Sequence, residues 1–406
     1  MTEWADQRAE TGFDTDAVHA GEHVDPTTGS VDVPIYQTST FAPGSSHETA
    51  RVTEGIQSGE RGAYLYSRWG NPTVEALEDK LAALEDAEAA IATSSGMAAI
   101  TTSLMTVLSQ GDHIVAGHQL YSGTMHFLNG KMPELGIETT FVDPTDIGNV
   151  AEAIRSETKL VYIETPSNPT LEITDIAAVA DLAQSHDLWT MIDNTFATPY
   201  NQRPLSLGID LALHATTKYL SGHGDTLGGA IMGRRDLVDN IRSLHRDLGG
   251  VMSPMTAWLT LRGIRTLGLR LARHNEGAQQ IAFHLDNHPK VARVFHPALT
   301  DHPGHQIARR QMKGGYGGMV SFELKGGYQA GVDLIDNVEI CTQAVSLGDV
   351  KTLITHPAST TNYITPKAER EAKGINDGLI RLSVGIEDPE DLMADLDGAL
   401  ERGSSL

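Results

Sequence analysis

The sequence predicts an α/β protein in which a large domain with a mostly parallel sheet is followed by a smaller α+β domain. The chain has 406 residues, more than one compact core usually holds, so more than one domain is expected. Between about residues 71 and 268, short apolar runs alternate with helix-length stretches, as in parallel sheets covered by helices. Beyond residue 268 the segments become longer and strand-like runs rarer, which indicates a second architecture.

Residues 1–69 lack a sustained period, so we expect an extended arm without a core of its own. Residues 70–268 should form the large domain, which opens with a helix over residues 73–87, where apolar residues recur at helical spacing. Strands are expected at residues 89–92, 114–116, 139–142, 160–163, 189–192 and 211–213, with helices such as 97–108 and 175–186 between them. The small domain, residues 269–406, should hold a helix at 269–285 and strands at 291–295, 319–324 and 379–384.

The composition argues against several functions. With 53 acidic and 30 basic residues the net charge is -23, which is unsuited to a nucleic-acid groove. No apolar run reaches the roughly 18 residues of a membrane helix, and the first residues do not resemble a secretory signal, so we expect a cytoplasmic protein. The single cysteine, Cys341, reads as a core residue. His302 and His305 lack supporting ligands, and we predict no metal site.

Three short segments carry residues suited to chemistry. Lys218 follows an apolar strand among small residues, where desolvation would lower its pKa and favour imine formation. Asp193 ends another apolar strand, and Gly96 lies in a strand-to-helix turn that could bind phosphate. Each has a simpler interpretation: Lys218 as a surface charge, Asp193 as a helix cap and Gly96 as a turn.

Together these residues match the requirements of pyridoxal 5'-phosphate: a lysine, a carboxylate for the pyridine nitrogen and a phosphate cradle. The sequence is also similar to the Cys/Met-metabolism pyridoxal-phosphate enzymes, from about residue 33 to residue 388. This family of trans-sulfuration enzymes includes cystathionine γ-synthase, cystathionine γ-lyase, methionine γ-lyase and O-acylhomoserine sulfhydrylase. The similarity rests on motifs at residues 66–73 (YSRWGNPT), 164–169 (ETPSNP) and 218–225 (KYLSGHGD). It implies the aspartate-aminotransferase-like fold of pyridoxal-phosphate-dependent transferases.

The resemblance also implies roles around the cofactor ring. Lys218 would hold the cofactor covalently and then move protons between substrate carbons. Asp193 would keep the pyridine nitrogen protonated, and Asn168 would contact the ring 3-hydroxyl. Tyr121 would stack on the ring and exchange a proton with the γ-group of the substrate.

For the phosphate, the resemblance implies backbone N–H groups of Gly96 and Met97 and the hydroxyl of Thr217. Tyr66 and Arg68 would reach the phosphate of the neighbouring subunit, which implies a homodimer with shared sites, paired into a homotetramer as is usual in the family. Relatives often carry a serine at the position of Ala215, so one hydrogen bond to the phosphate, worth about 1 kcal/mol, is expected to be missing.

The substrate, a small sulfur amino acid, would be held by Arg381 at its α-carboxylate, beside Ser346. Val345 stands where relatives that handle cystathionine often have glutamate. An uncharged residue there favours a small apolar γ-substituent, and hence γ-elimination of methionine or homocysteine to 2-oxobutanoate, ammonia and a thiol.

Alternatives remain open. Gly123 stands where methionine γ-lyases resembling this chain have cysteine. This glycine and residues 356–361 favour γ-replacement on O-acylhomoserine, as in cystathionine γ-synthase or O-acetylhomoserine sulfhydrylase. Cystathionine γ-lyase activity is a further alternative. A binding protein without catalysis is disfavoured by the joint presence of the four residues Lys218, Asp193, Tyr121 and Arg381.

The acidic excess fits either an ordinary acidic enzyme or a halophilic one, and the chain has only 10 lysines among its 30 basic residues. We predict salt adaptation, because concentrated salt screens the repulsion between surface carboxylates; at roughly 1 M the screening length is about 3 Å. The thermal midpoint should therefore rise between about 0.1 M and several molar potassium chloride. A midpoint that stays flat or falls would assign the protein to the ordinary acidic class.

Overall fold

The computed structural model describes residues 11–403, except for the side chain of Ala372. The first ten residues of the expected arm and the last three of the expected small domain lie outside the described part. A seven-stranded sheet occupies the middle of the chain, in the order β1-β7-β6-β5-β4-β2-β3. Its strands are β1 (Ala89–Thr93), β2 (His113–Gly117), β3 (Glu138–Val142), β4 (Thr158–Glu164), β5 (Trp189–Asp193), β6 (Leu211–His214) and β7 (Gly229–Gly233).

Neighbouring strands of this sheet are parallel except for β7, which runs antiparallel to both β1 and β6. Strand β1 therefore points in the same direction as β6, and the carboxyl ends of β1, β4, β5 and β6 lie along one edge. Alternate residues of β1 enter two different cores, because Ala90 packs with Leu77 and Leu81 whereas Ile91 packs with Leu104. The sheet is thus buried on both faces.

The helices within the described residues are α1 (Phe13–His19), α2 (Ser46–Ser58), α3 (Pro72–Glu85), α4 (Gly96–Val107), α5 (Ser122–His126), α6 (Met132–Glu134), α7 (Ile147–Ala153), α8 (Ile176–Ser185), α9 (Thr198–Asn201), α10 (Arg235–Leu248), α11 (Pro254–Ile264), α12 (Leu267–Asp286), α13 (His305–Gln311), α14 (Gly327–Asn337), α15 (Lys367–Ala372) and α16 (Pro389–Arg402). The four predicted helices correspond to α3, α4, α8 and α12, with ends within two residues of those predicted. No helix between residues 11 and 403 has the length and apolar character needed to cross a membrane.

The second sheet has five strands in the order β10-β11-β12-β9-β8 and is antiparallel apart from the β10–β11 pair. Its strands are β8 (Val291–Phe295), β9 (Met319–Leu324), β10 (Thr342–Gln343), β11 (Leu353–Thr355) and β12 (Leu379–Ser383). Apolar residues of α12, α14 and α16 pack against it. The two sheets lie on either side of residue 268, although the exact division into domains stays a prediction.

All nine predicted strands are confirmed, whereas β7, β10 and β11 were not predicted. Glycines at both ends shorten the apolar run of β7. A Cβ atom on Gly229 would lie 2.3 Å from the carbonyl oxygen of Ser95, and one on Gly233 would lie 2.4 Å from that of Asp210. Close packing against the neighbouring backbone therefore requires glycine at both positions. Because glycine does not count as apolar in the pattern, β7 was not predicted.

The expected arm is less extended than predicted, because it contains helices α1 and α2. Ser45 caps the start of helix α2, since its Oγ accepts from the Glu48 N–H, and Val52 and Ile56 bury one face of the helix against Ala63. The arm is also fixed to its own chain. The Lys80 ammonium on α3 is fully buried and donates to the carbonyl oxygens of Ala17 and Val18.

Candidate active site

Three of the predicted residues lie along the carboxyl edge of the large sheet. Asp193 is the last residue of β5, Lys218 follows the last residue of β6 by four positions, and Gly96 opens α4. Ligands of open α/β sheets bind at this edge, outside the strand ends.

Lys218 lies in a tight turn, in which its N–H donates to the Ala215 carbonyl and its carbonyl accepts from the Gly222 N–H. Its Nζ donates to the Oγ of Ser346 over 2.6 Å, which links the loop after β6 to the small sheet. Burial, reinforced by the positive charge of Arg381 and opposed by Asp193, lowers the pKa of Lys218 to about 8. At this pKa roughly a tenth of the amine is neutral and nucleophilic at pH 7, far more than for an ordinary lysine.

Asp193 is buried, and its Oδ1 accepts a hydrogen bond from the Thr195 N–H over 3.0 Å. Burial raises the pKa of Asp193, and the hydrogen bonds from Thr195 and the charges of His214 and Lys218 offset this rise only in part. A carboxylate in this environment gains stability from a cationic partner, such as the protonated ring nitrogen that the sequence predicts.

Arg381 lies on β12 and brings the small sheet to the same crevice. Its two terminal nitrogens donate to Asn168 Oδ1 at 3.2 Å and to the carbonyl oxygen of Ser346 at 2.9 Å. Burial lowers the pKa of Arg381. Within residues 11–403, no carboxylate lies within ion-pair distance of this guanidinium, which leaves it able to bind an anionic group. Val345, the neighbour of Ser346, is 62% exposed.

The backbone of Ser346 adopts a φ of 96°, a conformation that is uncommon for any residue other than glycine. This conformation is accompanied by two functional contacts, because its hydroxyl accepts from Lys218 while its carbonyl accepts from Arg381. Backbone strain of this kind is concentrated at functional sites.

The predicted phosphate cradle is the first turn of α4. Ser95 Oγ accepts from the Ala98 N–H at 3.1 Å, while the N–H groups of Gly96 and Met97 have no acceptor within the helix. A Cβ atom on Gly96 would lie 2.9 Å from the Cβ of Ala215, so the loop that carries Lys218 packs directly on this turn.

The hydroxyl of Thr217 bonds to the backbone of Gly228, accepting from its N–H at 3.0 Å and lying 3.2 Å from its carbonyl oxygen. To donate to the phosphate, the Thr217 hydroxyl would have to give up its contact with the Gly228 carbonyl oxygen. The neighbouring Thr216 hydroxyl is buried without a partner among the described residues.

Tyr121 precedes α5, and its side chain is 45% exposed. Its backbone N–H donates to Oε2 of Glu164 over 2.7 Å. A Cβ atom on Gly123 would lie 2.6 Å from the Tyr121 ring and 3.0 Å from the Met97 sulfur. The absence of a side chain at residue 123 thus permits this position of the ring.

Tyr66 and Arg68 lie apart from these contacts. The Arg68 guanidinium donates to the carbonyl oxygen of Arg246 and lies 5.6 Å from the centre of the Tyr66 ring. Tyr66 is 40% exposed, and neither residue hydrogen-bonds to Lys218, Asp193 or helix α4 in the described chain. The structure therefore brings together the predicted residues around Lys218 but leaves these two outside.

Sequence analysis missed Glu164, although its position as an acid at the end of an apolar strand was a usable signal. It also missed the buried pair of Glu85 and His214, whose side chains are 2.5 Å apart and essentially inaccessible. The side-chain nitrogen and oxygen atoms of His118, Asp143 and Glu172 that could bind a metal lie within 4.8 Å of one another, so the expectation of no metal site stays a prediction.

Comparison with known proteins agrees with this geometry. A family model described as Cys/Met metabolism PLP-dependent enzyme matches residues 14–401. An L-methionine gamma-lyase of Fusobacterium nucleatum subsp. polymorphum is 47% identical over 96% of this chain and 98% of its own. The cystathionine gamma-lyase of Bacillus subtilis (strain 168) is 44% identical over 95% of this chain and 98% of its own. A crystal structure of cystathionine gamma-lyase from Lactobacillus plantarum, complexed with L-serine, gives a TM-score of 0.89 at 41% identity, over 97% of this chain and 99% of that one.

The chain belongs to the Cys/Met-metabolism family of pyridoxal-phosphate-dependent enzymes. More particularly, it is a pyridoxal-phosphate-dependent enzyme of sulfur amino-acid metabolism, and its predicted fold and cofactor are confirmed. The residues present fit that cofactor: a lysine with a lowered pKa, a buried carboxylate, an exposed aromatic ring and free N–H groups at a glycine turn.

We predict that cofactor capture by the apo-protein depends on the protonation state of Lys218. The neutral amine reacts, so the capture rate should rise with pH around a midpoint near 8 rather than near the ordinary lysine value of about 10.4. In Arg381→Gln the midpoint should move upwards, because a neighbouring positive charge no longer disfavours the ammonium form.

Borohydride trapping should label the peptide that contains Lys218, and Lys218→Ala should bind the cofactor without covalent attachment. A midpoint near 10 in the wild type, or a label on another peptide, would contradict the assignment.

Proposed function

We propose that the protein catalyses γ-elimination of methionine or homocysteine, consuming water and releasing 2-oxobutanoate, ammonia and a thiol. The observation that carries this proposal is Val345, an exposed apolar residue beside the contacts that join Ser346 to Lys218 and Arg381. An uncharged side chain there suits a methylthio or thiol group better than the distal ammonium group of cystathionine. The relatives named L-methionine gamma-lyase are consistent with this choice.

The residues of this chain divide the work. Pyridoxal phosphate, when bound through Lys218 and Asp193, supplies an electron-accepting ring conjugated to the substrate Cα. Arg381 binds the substrate carboxylate with parallel N–H bonds. Once displaced from the cofactor, the Nζ of Lys218, with its lowered pKa, would relay the Cα proton and then a Cβ proton, whose loss allows the Cγ–S bond to break. The hydroxyl of Tyr121 would give a proton to the departing γ-sulfur.

A second candidate is γ-replacement on O-acylhomoserine, as in cystathionine γ-synthase or O-acetylhomoserine sulfhydrylase. Gly123 favours this reaction, because methionine γ-lyases resembling this chain have cysteine at that position. Here the Tyr121 ring occupies the space that a side chain at residue 123 would need. Elimination and replacement share the same proton transfers and differ in whether water or a second thiol completes the reaction. Cystathionine γ-lyase activity remains a third candidate.

We further propose a cytoplasmic, salt-adapted homotetramer built from homodimers with shared sites. Tyr66 and Arg68 are unused by their own site and available to a neighbouring subunit, and Arg68 would be suited to the partner's cofactor phosphate. The net charge of -23 supports salt adaptation.

The substrate proposal predicts that kcat/KM for 2-oxobutanoate formation from L-methionine exceeds that for product formation from O-acetylhomoserine with sulfide or cysteine. Val345→Glu should raise the ratio of kcat/KM for cystathionine to kcat/KM for methionine by roughly tenfold or more. A charge-assisted hydrogen bond to the distal ammonium group contributes about 1.5–3 kcal/mol. Leu269→Glu, which adds the same charge at a 73% exposed position on α12, should leave the ratio unchanged.

Faster γ-replacement than elimination would overturn the first choice. An unchanged ratio in Val345→Glu would mean that Val345 does not face the γ-substituent.

The shared-site proposal predicts complementation between two subunits that are defective in different residues. Arg68→Ala should weaken cofactor retention by about 1.5–3 kcal/mol, the contribution of a charge-assisted hydrogen bond. When Arg68→Ala and Lys218→Ala subunits are mixed, activity should partly return, because one of the two sites in a hybrid dimer carries both native residues. Persistent inactivity after proven subunit exchange would rule out sharing through Arg68.

A further inference from the structure

Two buried carboxylic acids end neighbouring strands of the large sheet at the site. Glu164 and Asp193 are the last residues of β4 and β5, and they are register partners in this parallel pair. Register partners project from the same face of a sheet, with backbones roughly 4.8 Å apart. Glu164 is 5% exposed and Asp193 is 8% exposed. Two negative charges this close and this buried would repel each other strongly.

The two acids have different partners. Asp193 accepts from Thr195 and lies in the field of His214 and Lys218. Glu164 accepts only from the backbone N–H of Tyr121, at 2.7 Å, among the contacts of the described residues. This hydrogen bond connects the carboxyl end of β4 to the segment that carries the Tyr121 ring.

We infer that Glu164 is a positioning residue that anchors Tyr121 as an uncharged carboxylic acid and leaves Asp193 as the single negative charge of the pair. This inference rests on the proposed roles of Asp193 and Tyr121. Asp193 would supply the negative charge at this edge of the sheet, and Glu164 would fix the position of the Tyr121 segment.

The electrostatic environment supports this assignment. Burial and the neighbouring Asp193 raise the pKa of Glu164 well above its usual range, and only the Tyr121 N–H opposes them. Several partners oppose the rise at Asp193, so Glu164 holds a proton more readily than Asp193 does. Tyr162, a further titratable neighbour, is neutral because burial and the charge of Asp193 raise the pKa of its hydroxyl.

Infrared spectroscopy can test the charge directly. The holoenzyme should show the carbonyl stretch of a protonated carboxylic acid at neutral pH, and Glu164→Gln should remove that band. The matched control Glu138→Gln, at a 73% exposed side chain on β3, should leave it unchanged. A band that persists in Glu164→Gln would overturn the uncharged state.

Cofactor spectra separate this inference from the proposed function. The pH midpoint of the visible cofactor band should stay within about 0.3 unit in Glu164→Gln, which keeps an uncharged acceptor, whereas Asp193→Asn should displace it by about one unit or more. Displacement in both variants would overturn the inference alone. An unchanged midpoint in Asp193→Asn would overturn the proposed role of Asp193, and with it the charge assignment.

The anchoring role needs a variant without an acceptor. Glu164→Leu should weaken the visible circular dichroism of the cofactor and raise its dissociation constant at least about threefold, the cost of a modest hydrogen bond, because the Tyr121 segment loses its anchor. If Glu164→Leu does not fold, Glu164→Asp withdraws the acid by one methylene group and should produce the same changes. Spectra and affinity equal to those of Glu164→Gln would overturn the anchoring role.

Discussion

The hydrogen bond from Lys218 to Ser346 joins the two sheets at the point where the site needs them together. Ser346 also accepts from Arg381, so a single residue in a strained conformation holds two cations from different parts of the chain. The mutual repulsion of these cations helps to lower the pKa of Lys218. Asp193 is the nearby anion that opposes this shift. Because this one anion faces two cations, the crevice favours anionic ligands, such as a substrate carboxylate and a cofactor phosphate.

The surrounding structure keeps these groups in place with buried polar contacts rather than with further ion pairs. Arg270 donates to the carbonyl oxygens of Tyr219 and Gly263, and burial lowers its pKa to about 10. Its guanidinium occupies the space beside Gly222, where a Cβ atom would lie 2.0 Å from a guanidinium nitrogen. The loop after Lys218 is therefore held by an arginine that only a glycine can accommodate, and this rigid support sets the position of the reactive amine.

Sequence patterns were most informative where burial repeats regularly. The apolar strands and the helices α3, α4, α8 and α12 follow from periodicity alone, because each buries a continuous face. Helix α2 escaped prediction because its apolar face is short, and β7 because glycines replace side chains. The residues around the cofactor followed from a family resemblance. Contacts such as Lys218 with Ser346, 128 positions apart, depend on tertiary packing that no local pattern encodes.

Val345 favours γ-elimination and Gly123 favours γ-replacement, and the two residues lie beside different groups of the site. Val345 lies beside the residue that binds Lys218 and Arg381, so its chemistry bears on which γ-substituent is accommodated. Gly123 lies beside the Tyr121 ring, so the lack of a side chain there bears on the position of the residue proposed to protonate the leaving group. Substrate choice and acid position are thus set at separate points of the crevice. Their combination in one chain is physically consistent, since an uncharged residue 345 does not require the Tyr121 ring to move.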